Sequence, residues 1–145
     1  MAINQAYGTQ SYLIFAEFDS SEFKSYFDIK KRIVCLDLRY LDGKEMNGNK
    51  PSELEIKAIA ALAHEKRHIY QSDNLTDKWK WEFDNYKNPE DGYEEYMLQE
   101  IEVDANAFAR IFIEHLFKKN IMFPNKIEVA VEDRARILRE LYGVK

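Results

Sequence analysis

The chain has a single cysteine in 145 residues. That excludes an intramolecular disulfide framework and any cysteine-rich zinc finger. A chain without disulfides fits a reducing compartment. No apolar run approaches the ~20 residues needed to span a bilayer. The opening Met1-Ala2-Ile3-Asn4-Gln5 has neither the basic region nor the apolar stretch of a signal peptide. A cytoplasmic location is therefore expected, with no membrane partner. Positive charge is in deficit: 21 Lys and Arg stand against 26 Asp and Glu, a net charge of -5. Phosphate binding needs clustered positive charge, so nucleic acid is not expected as the main partner. Repeats and low-complexity tracts are also missing. What the chain does hold is 46% hydrophobic residues, with 14% aromatic, which argues against long disorder. Its length suits one domain over residues 1–145.

The pattern predicts an α+β fold, with a small N-terminal β-sheet packed on a helical bundle. Residues 12–18 read as a strand, followed by a turn at Asp19-Ser20-Ser21 and a short helix over 22–27. Residues 33–40 read as a second strand, continuous and apolar at first and alternating beyond. Asp42-Gly43 and Asn47-Gly48 mark turns. Ser52 followed by Glu55 is a capping box, and a helix is expected from there to about Gln71. Its first half, Ile56 to Ala63, is apolar nearly all round, which predicts burial. Residues 72–92 read as a long surface loop carrying Trp79, Trp81, Phe83 and Tyr86. A long helix is expected over 93–119. A last helix over 125–142 follows Pro124, stops at Gly143 and turns Ile127, Val131, Ile137, Leu138 and Leu141 to the core.

The chemistry concentrates in His64-Glu65-Lys66-Arg67-His68, an H-E-x-x-H pattern on a predicted helix. At 3.6 residues per turn the two histidines stack on one face, continuing the stripe of Ile56 and Ala60. Two such imidazoles can ligate one Zn2+. Glu65 stands beside them as a general base. Zinc lowers the pKa of a water it binds to about 7, which makes a nucleophile available near neutral pH. Ligation needs neutral imidazoles, so metal loss and inactivity are expected below a pH of about 6.

A catalytic zinc needs a third protein ligand and an open position. The metzincin pattern, a histidine six residues after the motif following a glycine, fails: those positions are Asn74 and Gln71. A carboxylate from a later helix remains. Glu102, Ala105, Asn106 and Ala109 lie on or near one helix face, where two alanines allow close approach to the first helix. Asn106 can then orient a ligating histidine. Glu100 with Asp104 has the same four-residue spacing and stands as the alternative ligand and orienter.

Together, the H-E-x-x-H helix and the downstream Glu102-Val103-Asp104-Ala105-Asn106-Ala107-Phe108-Ala109 resemble the ImmA/IrrE family of gluzincin-type metallopeptidases, common in bacteria, phages and mobile elements. The likeness covers roughly residues 30–112 and includes the strand at Ile33-Val34-Cys35-Leu36. It implies a zincin-like fold, His64, His68 and Glu102 as zinc ligands, and Glu65 as general base. It further implies a protein or peptide substrate, with a regulatory protein among the candidates. Two positions depart from the family: Arg67 stands where a glycine often precedes the second histidine, and the stretch between His68 and Glu102 is long and aromatic-rich.

Other residues carry lesser claims. Tyr70, Tyr93, Tyr96 and Tyr142 are each candidate donors to a developing oxyanion. His115 reads as an exposed or structural histidine, Arg67 as half of a local ion pair, and Cys35 as a buried thiol. The aromatic stretch from Trp79 to Tyr86 reads either as a wall of the site or as an apolar cluster beneath a loop. The alternatives to a hydrolytic zinc enzyme are a peptidase-like binding module with a structural zinc and a metal-free helical interaction domain.

Overall fold

The computed structural model describes residues 11–41 and 52–144. Strands β1 (Tyr12–Ala16), β2 (Ser25–Asp28) and β3 (Ile33–Asp37) form one sheet in the order β1-β3-β2. β1 runs parallel to β3, while β2 runs antiparallel with Phe27 opposite Val34 and Ser25 opposite Leu36. The helix expected over 22–27 is therefore a strand. Tyr26 and Phe27 favour a pleated surface, and the apolar β3 supplies a ladder that satisfies their backbone. The second strand ends at Asp37, earlier than expected. Its carboxylate accepts from the Arg39 N–H at 3.0 Å and from Arg39 Nε at 2.9 Å. That local bonding turns the chain into a 3-10 turn over Leu38–Leu41. The turns expected at Asp42-Gly43 and Asn47-Gly48 lie outside the described residues.

Among the described residues five α-helices follow: α1 (Glu53–Asp73), α2 (Asp77–Asp84), α3 (Tyr93–Met97), α4 (Glu100–Phe117) and α5 (Asn125–Tyr142). The capping box on α1 is formed, with Ser52 Oγ accepting from the Glu55 N–H and Glu55 Oε2 accepting from the Ser52 N–H, both at 3.1 Å. The stretch expected as a loop contains α2, which Thr76 caps through the Trp79 N–H at 3.2 Å. The long helix expected over 93–119 is broken at Leu98-Gln99. Gln99 is extended (ψ 136), and the carboxylate of Glu82 accepts from the backbone N–H of Glu100 at 3.0 Å and of Ile101 at 2.7 Å. A side chain from α2 thus caps the start of α4.

α4 is the axis of the molecule. It is buried on every side from Ile101 to Ile113, packed against α1 and against α5. α5 contributes a stripe of Ile127, Val131, Ala135 and Leu138 to the core. Each of its large apolar members contributes about 1.5–3 kcal/mol by leaving water. Ile137 and Leu141, expected inside, are exposed: Ile137 falls off the stripe, and Leu141 lies in the helix's last turn, past Leu138 where the stripe ends. The apolar half of α1 is only half-buried. Burial is deepest in its charged second half, from Glu65 to Ile69. Cys35 lies fully buried in β3. Among the described residues no helix is long and apolar enough to cross a membrane.

Candidate metal centre

The second half of α1 aims His64 and His68 at α4. Their Nε2 atoms lie 3.1 Å apart. The Glu102 carboxylate meets both, with Oε2 3.2 Å from His64 Nε2 and Oε1 3.2 Å from His68 Nε2. Helical periodicity stacks the histidines one turn apart, and buried alanines at 63, 105 and 109 accompany the contact between the two helices. Glu65, His64 and His68 present atoms within 4.8 Å of one another, a group able to hold a metal ion. One oxygen of Glu65 accepts from Ser25 Oγ on β2 at 2.7 Å.

The far sides of both rings are tied. Gln71 donates its amide hydrogens to Ile101 O at 3.0 Å and Asp104 Oδ2 at 2.9 Å, so its oxygen faces His68 Nδ1 at 2.8 Å. That nitrogen must carry a hydrogen. His64 Nδ1 faces Asn106 Oδ1 at 2.8 Å in the same manner. In the neutral rings both Nε2 atoms are then lone-pair donors, and they converge on a carboxylate. Glu102 Oε2 is buried with no hydrogen-bond partner among the described residues. Atoms of this kind, that close to one another, form a place able to hold a cation.

The electrostatics favour positive charge at the same place, which a proton on His68 also supplies. Burial works against a charged His68, but the Glu102 carboxylate outweighs it and pushes the imidazole up to about 9. Burial likewise opposes a charged Glu102, yet His68 and His64 together hold it well below the usual carboxylate range. Nitrogen, nitrogen and carboxylate oxygen suit zinc. Phe27 stacks on His68 at 5.0 Å between centroids and fixes its plane.

Two clefts meet at the cluster. The larger, about 660 Å³, runs past Ile56, Ala60, Met97 and Ile121. The smaller, about 320 Å³, is walled by Tyr26, Phe27, Phe83 and Tyr86. Ser25, His64, Tyr96 and Glu102 line both.

Of the carboxylates weighed as a third ligand, Glu102 joins the cluster. Glu100 points outward and pairs with Lys78 of α2. Asp104 is engaged by Arg67 and Arg134, each at 2.7 Å. Arg67 is thus a structural partner, its guanidinium also donating to Tyr142 Oη at 2.7 Å and lying over the Tyr70 ring. That engagement takes Tyr70 and Tyr142 away from the cluster, Tyr93 is exposed, and of the four expected donors Tyr96 alone lines the clefts. His115 is exposed on the last turn of α4. Besides Gln71, sequence reasoning gave no individual role to Tyr86, whose hydroxyl donates to Glu102 Oε1 at 2.6 Å. The signal for Tyr86 was its place in the aromatic stretch, which bears on the site through Phe83 and Tyr86.

No protein family, no curated protein and no solved structure matches the chain. The likeness to the ImmA/IrrE family therefore rests on its two helix motifs alone.

Proposed function

We propose that the chain is a zinc-dependent peptidase of the zincin type, as the resemblance to the ImmA/IrrE family implies. The observation that carries the reading is the convergence of His64 Nε2, His68 Nε2 and Glu102 Oε2, a buried oxygen with no hydrogen-bond partner among the described residues. These three residues would hold Zn2+. When bound, the ion supplies Lewis-acid polarisation of a carbonyl and a lowered water pKa. Glu65, within the cluster and steadied by Ser25, takes the proton of the attacking water and returns it to the leaving amine. Tyr96, which lines both clefts, is the O–H donor placed for a carbonyl oxygen as charge develops on it. Burial and the nearby Glu102 raise its pKa, which keeps it a donor. β2 stands at the sheet edge beside the cluster, where an extended peptide can add as a further strand. The substrate is a protein or peptide, with a regulatory protein as the resemblance suggests, in the cytoplasm. The two clefts that open on the cluster favour an accessible coordination place over a closed structural zinc.

The test is a zinc and activity balance on the full chain with a peptide library as substrate. The wild type is expected to hold one equivalent of zinc and to cleave. Glu65→Gln should keep the zinc and lose about 10²–10⁴-fold in rate. Proteolysis that survives in Glu65→Gln, or a wild type without affinity for zinc, would overturn the reading.

A further inference from the structure

Tyr86 is the first residue after the C-cap of α2, and its position is over-determined. On one side the Asn85 N–H donates to Trp81 O at 2.9 Å. On the other, Lys87 is clasped by Gln99: its N–H donates to Gln99 Oε1 at 2.8 Å, and its carbonyl accepts from Gln99 Nε2 at 3.0 Å. Gln99 is also the N-cap of the helix that carries Glu102. The backbone flanking the phenol is therefore fastened to the same helix start as the carboxylate that the phenol meets. Tyr96 packs edge-on against Tyr86 at 6.1 Å and 87°.

We propose that Tyr86 is a positioning residue that occupies Oε1 of Glu102 and so presents the carboxylate to a metal ion through Oε2 alone. The inference rests on the metal reading above. A carboxylate with both oxygens available takes up to two coordination places. One whose second oxygen is engaged by a short hydrogen bond takes one. With two imidazoles, a one-oxygen Glu102 makes three protein ligands on a four-coordinate ion and leaves a place for water. Each oxygen lies 3.2 Å from an imidazole Nε2, but the two are unequal: Oε1 also accepts from the phenol at 2.6 Å, whereas Oε2 has no hydrogen-bond partner among the described residues. The aromatic stretch thereby acts on the site through one hydroxyl, in addition to walling the smaller cleft.

The experiment compares the wild type with Tyr86→Phe, which keeps the ring, using Zn2+ and Co2+ alone as probes. Competition with a chromophoric chelator should show zinc affinity falling 10–100-fold in the variant. The visible ligand-field band of the cobalt form should weaken, as the freed oxygen raises the coordination number above four. Circular dichroism should stay unchanged. Equal zinc affinity, or a lowered affinity with a superposable cobalt band, would overturn the inference, since a general loosening of the fold lowers affinity without adding a ligand. His64→Ala and His68→Ala separate the two levels. If the wild type binds no zinc, or these variants bind it as well, the metal reading fails and this inference with it. If they lose zinc and Tyr86→Phe matches the wild type in both readouts, this inference alone fails.

Discussion

His68 has little freedom. Phe27 lies against its ring, Gln71 receives its Nδ1 hydrogen, and the remaining nitrogen faces His64 and Glu102. Gln71 is in turn fixed by Ile101 O and Asp104, so its amide cannot flip without losing two bonds. Asn106 serves His64 with one bond, and its Nδ2 has no partner among the described residues. Outer partners of this kind tune metal affinity by tenfold to a hundredfold. Gln71→Ala is therefore expected at the upper end of that range and Asn106→Ala at the lower, measured by chelator competition for Zn2+. Unchanged affinity in both would mean that the rings need no orienting. The pairing of His64 with His68 was legible from the four-residue spacing, and a role for Asn106 behind one of the two rings from the helix face; that the ring is His64 comes from the structure. Gln71 was not legible, because its role depends on a backbone carbonyl and a carboxylate of another helix.

At the scale of elements, the start of α4 depends on a residue outside it. Glu82 of α2 accepts from two backbone N–H groups at that terminus, and its charge faces the positive end of the helix. Loss of such a cap costs about 0.5–2 kcal/mol. Glu82→Ala is accordingly expected to lower stability by about 1–2 kcal/mol in urea denaturation, with a smaller loss for Glu82→Gln, which keeps an acceptor. A neutral Glu82→Ala would show that water replaces the carboxylate at no cost. Elements whose stop and start signals are local were readable: Ser52 with Glu55 for α1, Gly143 for α5. The break at Leu98-Gln99 was not, since periodicity runs across it and the capping group comes from α2. β2 was missed for a similar reason. Four residues are too short to establish a period, and what makes them a strand is β3 alongside.

Across the whole molecule, three helices are joined by one carboxylate. Asp104 on α4 receives Arg67 from α1, in a fork of 2.7 and 3.2 Å, and Arg134 from α5 at 2.7 Å, together with the Gln71 amide. Both Asp104 and Arg67 are almost wholly buried. This explains why an arginine stands inside the H-E-x-x-H pattern: it points away from the clefts and ties α1 to the opposite side of the bundle. Burial disfavours the charged Asp104, but the guanidiniums outweigh it and hold its carboxyl below the ordinary 3.8. The sign follows from linkage. With the folded value below the unfolded one, the stabilisation is fully present above a pH of about 4 and is lost as pH falls through the folded value. The wild type should therefore lose stability steeply below pH 4. Asp104→Asn strands two arginines, one of them buried, and should cost about 3–5 kcal/mol near neutral pH. Its stability should then vary less with pH in the acid range. Urea denaturation of both proteins from pH 7 downward gives the comparison. Parallel acid slopes would place the acid sensitivity elsewhere, and a cost under 1 kcal/mol at pH 7 would mean that the three helices hold together by apolar packing alone.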